Sequence, residues 1–523
     1  MNQAGDGQDE SISLLQLHES DNIAVARISL SAGDLCVAGA NSFRARQQVP
    51  AGHKIAAREI ASGMPILKFG QPIGTASEDI AQGDWVHVHN VAVTRIQQEY
   101  EYCTQLHTPA TPASELTFDG FRRPNGLAGT RNYIGLISTV NCSATTARYV
   151  AQELTKTDLG DFPGIDGIVP LVHKSGCAFS FGGTDHRQLN RTLAGFAEHP
   201  NFAAVLVLGL GCETAQAGHL VEEHQLVKLG SAFRDAPPDL PKVLNIQEVG
   251  GVRKTVDRAV GILRDILPLA SSVERQPIPL SELKVGLECG GSDGASGVTA
   301  NPALGFASDL LVAHGGTAIL SEVPEVYGAE HLLTRRAISR EVADKLLERI
   351  RWWEDYAKRH DASIDNNPSV GNKQGGLTTI FEKSLGAVAK GGTTPLRAVY
   401  HYAERVTERG FVLMDTPGFD PASVTAMVAG GAQVVVFTTG RGSCFGCKPS
   451  PTIKVATNSR MFHRMQDDMD INAGTILEGR SVEDVGREIF QQIVETASGR
   501  RTLSEQQGIG DEEFCPWTPG PIF

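Results

Sequence analysis

The chain has 523 residues, with 60 acidic against 47 basic side chains and a formal charge of −13, so two to four domains are expected and a nucleic-acid partner, which needs clustered Lys and Arg, is not. With 41% hydrophobic and 20% charged residues the composition is globular rather than disordered. The 56 glycines, clustered at sites such as Gly290-Gly291 and Gly391-Gly392, point to an enzyme with loop-built sites.

The acidic segment Met1 to Glu10 has no apolar run of the kind a secretory signal carries. Phe202 to Leu210 is far short of the ~20 residues a membrane helix needs. Nine cysteines are too few for a disulfide scaffold, so reduced thiols and a cytoplasmic location are expected.

In chain order, residues 12–93 read as a small all-β module. Ile23 to Ile28 and Trp85 to His89 alternate, and Glu59-Ile60-Ala61-Ser62-Gly63 is echoed by Asp79-Ile80-Ala81-Gln82-Gly83. Residues 94–116, with Pro109 and Pro112, read as a linker. Residues 117–275 alternate strands with helices. The strands are Tyr133–Val140, Gly167–Val172, Phe202–Leu208 and Lys242–Ile246; helices follow at Ala144–Leu154 and from Asp185, and Val256, Val260, Leu263 and Leu267 stripe a third. After a proline-containing break at Gln276–Pro279, residues 280–523 form a second α/β segment. Its strands include Lys284–Leu287 and Gln433–Phe437, and Val342, Leu346, Ile350 and Trp353 mark a helix. Continuous apolar strands alternating with helices predict two mainly parallel α/β domains. The polar stretch Asp361–Gly376 reads as an ordered surface loop and a candidate lid.

Cys142, Cys177 and Cys212 each follow a predicted strand of the middle domain, and Cys289 does so in the next. Ligand sites in open α/β sheets form at the carboxyl ends of strands, and thiolates suit iron, zinc or iron–sulfur clusters. A buried cysteine is more often just a small apolar residue, and only the shared placement of the four lifts metal binding to even terms with that alternative. His173, four residues before Cys177, is a candidate ligand or general base, although a lone histidine is more often structural and the signal by itself is weak. His87 and His89, with His18 or His53, are candidates for a second metal, with an ordinary solvated histidine pair an equal alternative. Cys444 and Cys447 form a lone CxxC, a weak zinc signal. Gly209-Leu210-Gly211-Cys212-Glu213-Thr214 lacks the third glycine of a dinucleotide fingerprint, and no P-loop occurs. Arg441, between two glycines, is placed to clamp a carboxylate, or else merely to tie down its own loop.

Several motifs together resemble the altronate and galactarate dehydratases: Glu288-Cys289-Gly290-Gly291-Ser292-Asp293-Gly294, Ser296 to Pro302, Pro368 to Lys373, Gly209 to Glu213, Thr439 to Gly442 and Asp470 to Gly474. The resemblance runs from about residue 14 to about 505. It implies an N-terminal SAF (β-clip) domain followed by two α/β domains, and loss of water from a sugar acid to give a 2-keto-3-deoxy acid. His87 to Asn90, Glu322 to Glu325 and Gly328 to Glu330 look like the altronate branch. Two departures stand out: His173-Lys174-Ser175-Gly176-Cys177 carries serine where the family has tyrosine, and Cys444 and Cys447 are additions.

The resemblance implies ferrous iron or an iron–sulfur cluster, with manganese as an activator. Cys142, Cys177, Cys212 and Cys289 are then the expected iron site, and His18, His87 and His89 the alternative suited to manganese. His173 is the expected proton-moving group, with Lys174 second and Asp293 assisting. Ser292, Asn301, Lys373 and Arg441 are assigned to the substrate's carboxylate and hydroxyls. The expected partner is a small sugar acid, with no nucleic acid and no membrane; a homo-oligomer is compatible but nothing specifies one. A sugar-acid-binding protein and a lyase expelling sulfite from sulfolactate are the competing functions.

Overall fold

The structure, a computed structural model, describes residues 12–94, 99–109, 112, 114–157, 159–224, 226 and 243–522. Met1 to Glu10, Lys242, Phe523 and residues 95–98, 110, 111 and 113 of the expected linker lie outside the described residues.

The N-terminal module is built of short strands in three three-stranded sheets. The two echoed segments meet each other: Ile60 and Ile80 form an antiparallel bridge and both side chains are buried. The turns that follow demand glycine, with Gly63 at φ 80° and Gly83 at φ 89°; a side chain at Gly83 would also collide with the Arg44 carbonyl. The expected alternating strands are shorter than their patterns. The first runs Ile23–Val25 and is buried throughout, and the second stops at Val86, because His87 to Asn90 form a turn closed by the Asn90 side chain on the His87 N–H.

The middle domain carries a parallel sheet in the order Gly167–Leu171, Tyr133–Ser138, Phe202–Gly209, Val243–Asn245. Every residue of Tyr133–Ser138 is buried, as a central strand covered on both faces must be. The third domain carries a seven-stranded parallel sheet in the order Leu396–Tyr400, Gly410–Met414, Thr317–Leu320, Lys284–Cys289, Val434–Thr439, Thr452–Ala456, Ile471–Asn472. An all-β module followed by two parallel α/β domains is the architecture expected from the sequence pattern.

Three local readings change. The segment Gln276–Pro279 is an edge strand paired antiparallel with Thr117–Arg122, so it ties the start of the middle region to its end. The described residues of the 94–116 segment are strapped onto the third domain, where the Cys103 and Gln105 N–H groups donate to the Thr334 and Arg335 carbonyls and the Tyr100 hydroxyl donates to Glu330. Within Asp361–Gly376, Val370–Gln374 is a short helix closed by a Ser369–Asn372 capping box.

The two α/β domains share one apolar cluster. Helix Thr184–Ala197 packs on helix Asp420–Ala429 so closely that a side chain at Gly195 would meet the Ala429 backbone. Among the described residues no helix is long and apolar enough to cross a membrane.

Candidate active site

Three segments of the third domain and one of the β module converge beyond the carboxyl end of strand Lys284–Cys289. Gly294 N–H donates to the Gly375 carbonyl (2.8 Å) and Arg441 N–H to the Gly291 carbonyl (2.7 Å). The Gly52 carbonyl of the β module abuts Gly294 and Gly376, where any side chain would collide. His53 Nδ1 accepts from Trp85 Nε1 (3.2 Å), so Nε2 carries the proton and donates to the Gln374 carbonyl (3.2 Å).

Around this junction the expected substrate-binding residues divide. The Arg441 side chain is exposed and lies over Gly375. Lys373 sits on the capped helix, 3.9 Å from Asp365. Ser292 is buried with its hydroxyl unpartnered, a donor and acceptor left over for a ligand. Asn301 is a correction: its amide nitrogen donates to the Gly386 carbonyl (2.9 Å) and its oxygen accepts from Thr438 (2.6 Å), so the group is spent inside the fold.

The expected proton-moving residues also need correcting. Ser175 N–H donates to His173 Nδ1 (3.1 Å), which puts the ring proton on Nε2, donated to the Ser138 carbonyl (2.9 Å). Burial pushes its pKa down to about 4. With both nitrogens committed, His173 is a brace between two strand-end loops and has no free lone pair for substrate. Asp293 is equally committed. One carboxylate oxygen takes the Ala295 N–H, Ser296 and Thr457, and the other takes Asn458 (3.0 Å). It clamps the glycine-rich loop to the end of strand Thr452–Ala456. Lys174 is exposed.

His87, an expected metal ligand, stands differently. Its ring stacks on Trp85 (centroids 5.0 Å) and abuts His53 (4.9 Å), and its buried Nδ1 has no hydrogen-bond partner. Burial, then Lys54 and His53, push its pKa down to about 4. His89 tilts against the same Trp85, whereas exposed His18 is held by Ser20. Among the described residues, the ligand-atom groups mutually within 4.8 Å are Cys289–Glu322–Glu325 and Glu288–Glu322–Asp420, so the three histidines do not form the expected metal cage.

The four strand-end cysteines fall into two environments. Cys142, Cys177 and Cys212 are exposed on loops that follow three adjacent strands. Those loops are stitched together by Asn141 N–H to the Ser175 carbonyl and Ala215 N–H to the Gly176 carbonyl (3.0 Å each). The loop carrying Cys142 passes directly into helix Asn141–Thr157, whose first turn holds the cysteine. Buried Glu213 takes the N–H groups of Leu210 and Gly211 and so shapes the turn carrying Cys212. Cys289 stands apart: it is fully buried, Lys390 Nζ donates to its sulfur (2.8 Å), and burial pushes its thiol pKa far up. Nor do Cys444 and Cys447 form a ligand pair. Cys444 is exposed, and Cys447 turns into the core, its thiol pushed up to about 12.

Sequence reasoning missed the buried charges under the junction. Glu322, at φ 64°, bonds Lys390 (3.0 Å), and Lys383 donates to Glu325 (2.6 Å). One oxygen each of Glu288 and Glu322 is buried without a partner, while burial and the neighbouring carboxylates push Asp420 up to about 7. Glu382 takes both Lys54 and Lys68 of the β module at 2.8 Å. Glu288 and Glu322 to Glu325 stand in the motifs that carry the resemblance, but nothing local in the sequence shows that these charges are buried together.

The donor chemistry at two places fits a metal. Three exposed thiols on adjacent loops, not within the mutual spacing of a single-ion cage, match a cluster that brings its own sulfide. The Glu288–Glu322–Asp420 nest, with unbonded oxygens, matches a hard divalent ion.

Fold and site together define a three-domain α/β protein with small-molecule sites at the carboxyl ends of parallel strands. Residues 12–94 match the altronate/galactarate dehydratase SAF domain model, residues 120–271 the D-galactarate dehydratase/altronate hydrolase second domain, and residues 280–522 the D-galactarate/altronate dehydratase C-terminal domain. The altronate dehydratase of Bacillus subtilis (strain 168) is 39% identical over 496 residues, 94% of this chain and 97% of that one. The altronate dehydratase of Escherichia coli (strain K12) is 36% identical over 94% of this chain and 96% of its own length. The galactarate dehydratase (L-threo-forming) of the same strain is 36% identical over 97% of both chains. The chain belongs to the altronate/galactarate dehydratase family.

Proposed function

We propose that the chain is a hydro-lyase that removes water from a sugar acid, D-altronate first, giving 2-keto-3-deoxy-D-gluconate. The observation that carries this reading is the end-to-end match to two altronate dehydratases, which spans the β module and both α/β domains. Galactarate is the second substrate reading, supported by a match of similar extent.

Arg441 holds the substrate carboxylate, with Lys373 adding positive charge and the Ser292 hydroxyl meeting a substrate hydroxyl. His87 accepts the proton from the carbon next to the carboxylate. Burial keeps the ring neutral, the form that accepts, and an incoming carboxylate raises its pKa toward neutrality. Lys174, three residues before Cys177, donates a proton to the departing hydroxide. Iron would be held by Cys142, Cys177 and Cys212, as a cluster in preference to a lone ferrous ion. When bound, it would supply Lewis acidity toward a substrate hydroxyl. The unbonded oxygens of Glu288 and Glu322 support a second metal reading, in which manganese occupies that nest.

The test is to incubate iron-loaded protein with D-altronate, galactarate and sulfolactate, assaying 2-keto-3-deoxy acid and free sulfite. Keto acid from altronate at the highest kcat/KM is expected. Release of sulfite alone moves the assignment to a sulfo-lyase, and binding without product leaves a sugar-acid-binding protein.

A further inference from the structure

A cavity of about 330 Å³ lies between the two α/β domains, at the end of the seven-stranded sheet opposite the junction described above. Lys284 opens strand Lys284–Cys289, Arg409 immediately precedes strand Gly410–Met414, and Gln433 precedes Val434–Thr439. From the middle domain, Arg191 and Glu198 reach the same space, and Arg405 completes the wall.

The charges there do not balance. Arg191, Lys284, Arg405 and Arg409 supply four positive charges. Glu198 offsets one through its ion pair with Arg405 (3.3 Å). Glu282, also on the wall, is held by Arg122 outside it. The C-terminal ends of helices Thr184–Ala197 and Asp420–Ala429 abut the cavity, and each contributes about half a negative charge. Roughly two positive charges remain. Two of the four keep unspent hydrogen-bonding capacity: the Arg191 Nε is buried without a partner, and among the described residues Arg409 has no hydrogen bond or ion pair, whereas Lys284 donates to the Val406 carbonyl and Arg405 to Glu198.

We propose that this cavity is a binding site for a small dianion, a phosphate or a dicarboxylate, separate from the reaction site and contacting both α/β domains at once. An anion bound there restores charge balance, gives Arg191 and Arg409 acceptors and bridges the domains. The raised energy of Lys284 as an ammonium agrees with this: burial, then Arg405 and Arg409, push its pKa down to about 8.

The experiment is calorimetric titration and thermal melting of the full chain with inorganic phosphate and, separately, succinate, each against sodium chloride at equal ionic strength. The expected result is saturable binding and a raised melting temperature with at least one probe. Phosphate alone identifies a phosphoryl ligand, succinate alone a dicarboxylate, and both a site selecting charge only. Arg409→Ala, at an exposed position, is expected to weaken binding about tenfold. Lys284→Met weakens it as well, and its melting curve shows whether it is folded. Arg441→Ala, at the junction, leaves the affinity unchanged. No effect beyond chloride, unaltered binding in folded Arg409→Ala and Lys284→Met, or loss in Arg441→Ala would each overturn the proposal.

Discussion

His173 and His87 illustrate how one residue type separates into two roles. Both are buried and neutral, but His173 spends both ring nitrogens on backbone groups, whereas His87 keeps Nδ1 free. His87→Asn is therefore expected to lower kcat by about 10²- to 10⁴-fold with little change in melting temperature. His173→Ala leaves the Ser175 N–H and Ser138 carbonyl unpaired, at about 1–3 kcal/mol each, and the protein that folds keeps turnover within about tenfold, since proton transfer does not pass through it. Steady-state kinetics alongside denaturant unfolding reads both. Turnover retained in His87→Asn would remove that histidine from the chemistry. The sequence shows a histidine beside a cysteine, but tautomer and partner depend on which carbonyl the fold places 2.9 Å away.

At the scale of elements, strand existence and order were legible because the parallel strands are apolar runs punctuated by glycine. The boundaries were less so. Helix Asn141–Thr157 starts three residues before its apolar pattern, and Gln276–Pro279 reads as a break because two prolines mask an edge strand. The joint between the β module and the third domain was invisible in the sequence. Its buried ionic centre is one carboxylate, Glu382, shared by Lys54 and Lys68, all three at most 2% exposed. Their electrostatic attraction outweighs desolvation for Glu382, whose pKa falls well below its ordinary value of 4.5. A depressed carboxylate stabilises the fold fully above that value, and the contribution is lost as pH falls below it. Acid unfolding of the wild type is thus expected to begin below about pH 4.5. Glu382→Gln, which strands two buried lysines, should cost about 3–5 kcal/mol at neutral pH and flatten the acid limb. Urea unfolding from pH 3 to 8 measures both, and an unchanged acid limb in the variant would assign the acid sensitivity elsewhere.

At the scale of the whole molecule, the strand ends of the middle domain, not one motif, assemble the thiols. Cys142, Cys177 and Cys212 are 35 residues apart in sequence at each step, but parallel pairing brings their loops side by side. Iron and acid-labile sulfide, measured on anaerobically purified protein, are expected to disappear together in Cys142→Ser, Cys177→Ser and Cys212→Ser and to persist in Cys289→Ser. Sulfide-free iron surviving all three changes would exclude the cluster. The C-terminal segment adds a long-range tie between the α/β domains. Glu512 pairs with Arg148 (2.8 Å), the Cys515 N–H donates to Thr425, and the Gly520 N–H donates to Asp185 (3.0 Å).

The sequence alone determined the class of each domain, the order of the strands along the chain and the family, because periodicity, glycine turns and ordered motifs are local properties carried in contiguous residues. Tertiary structure decided which candidates have chemistry to offer. It buried Cys289 beside Lys390, spent Asn301, Asp293 and His173 on internal hydrogen bonds, left Arg441 and Ser292 free, and gathered the buried charges and the basic cavity from distant segments. Burial and hydrogen-bond partnership set protonation and availability, and both depend on neighbours that only folding brings together.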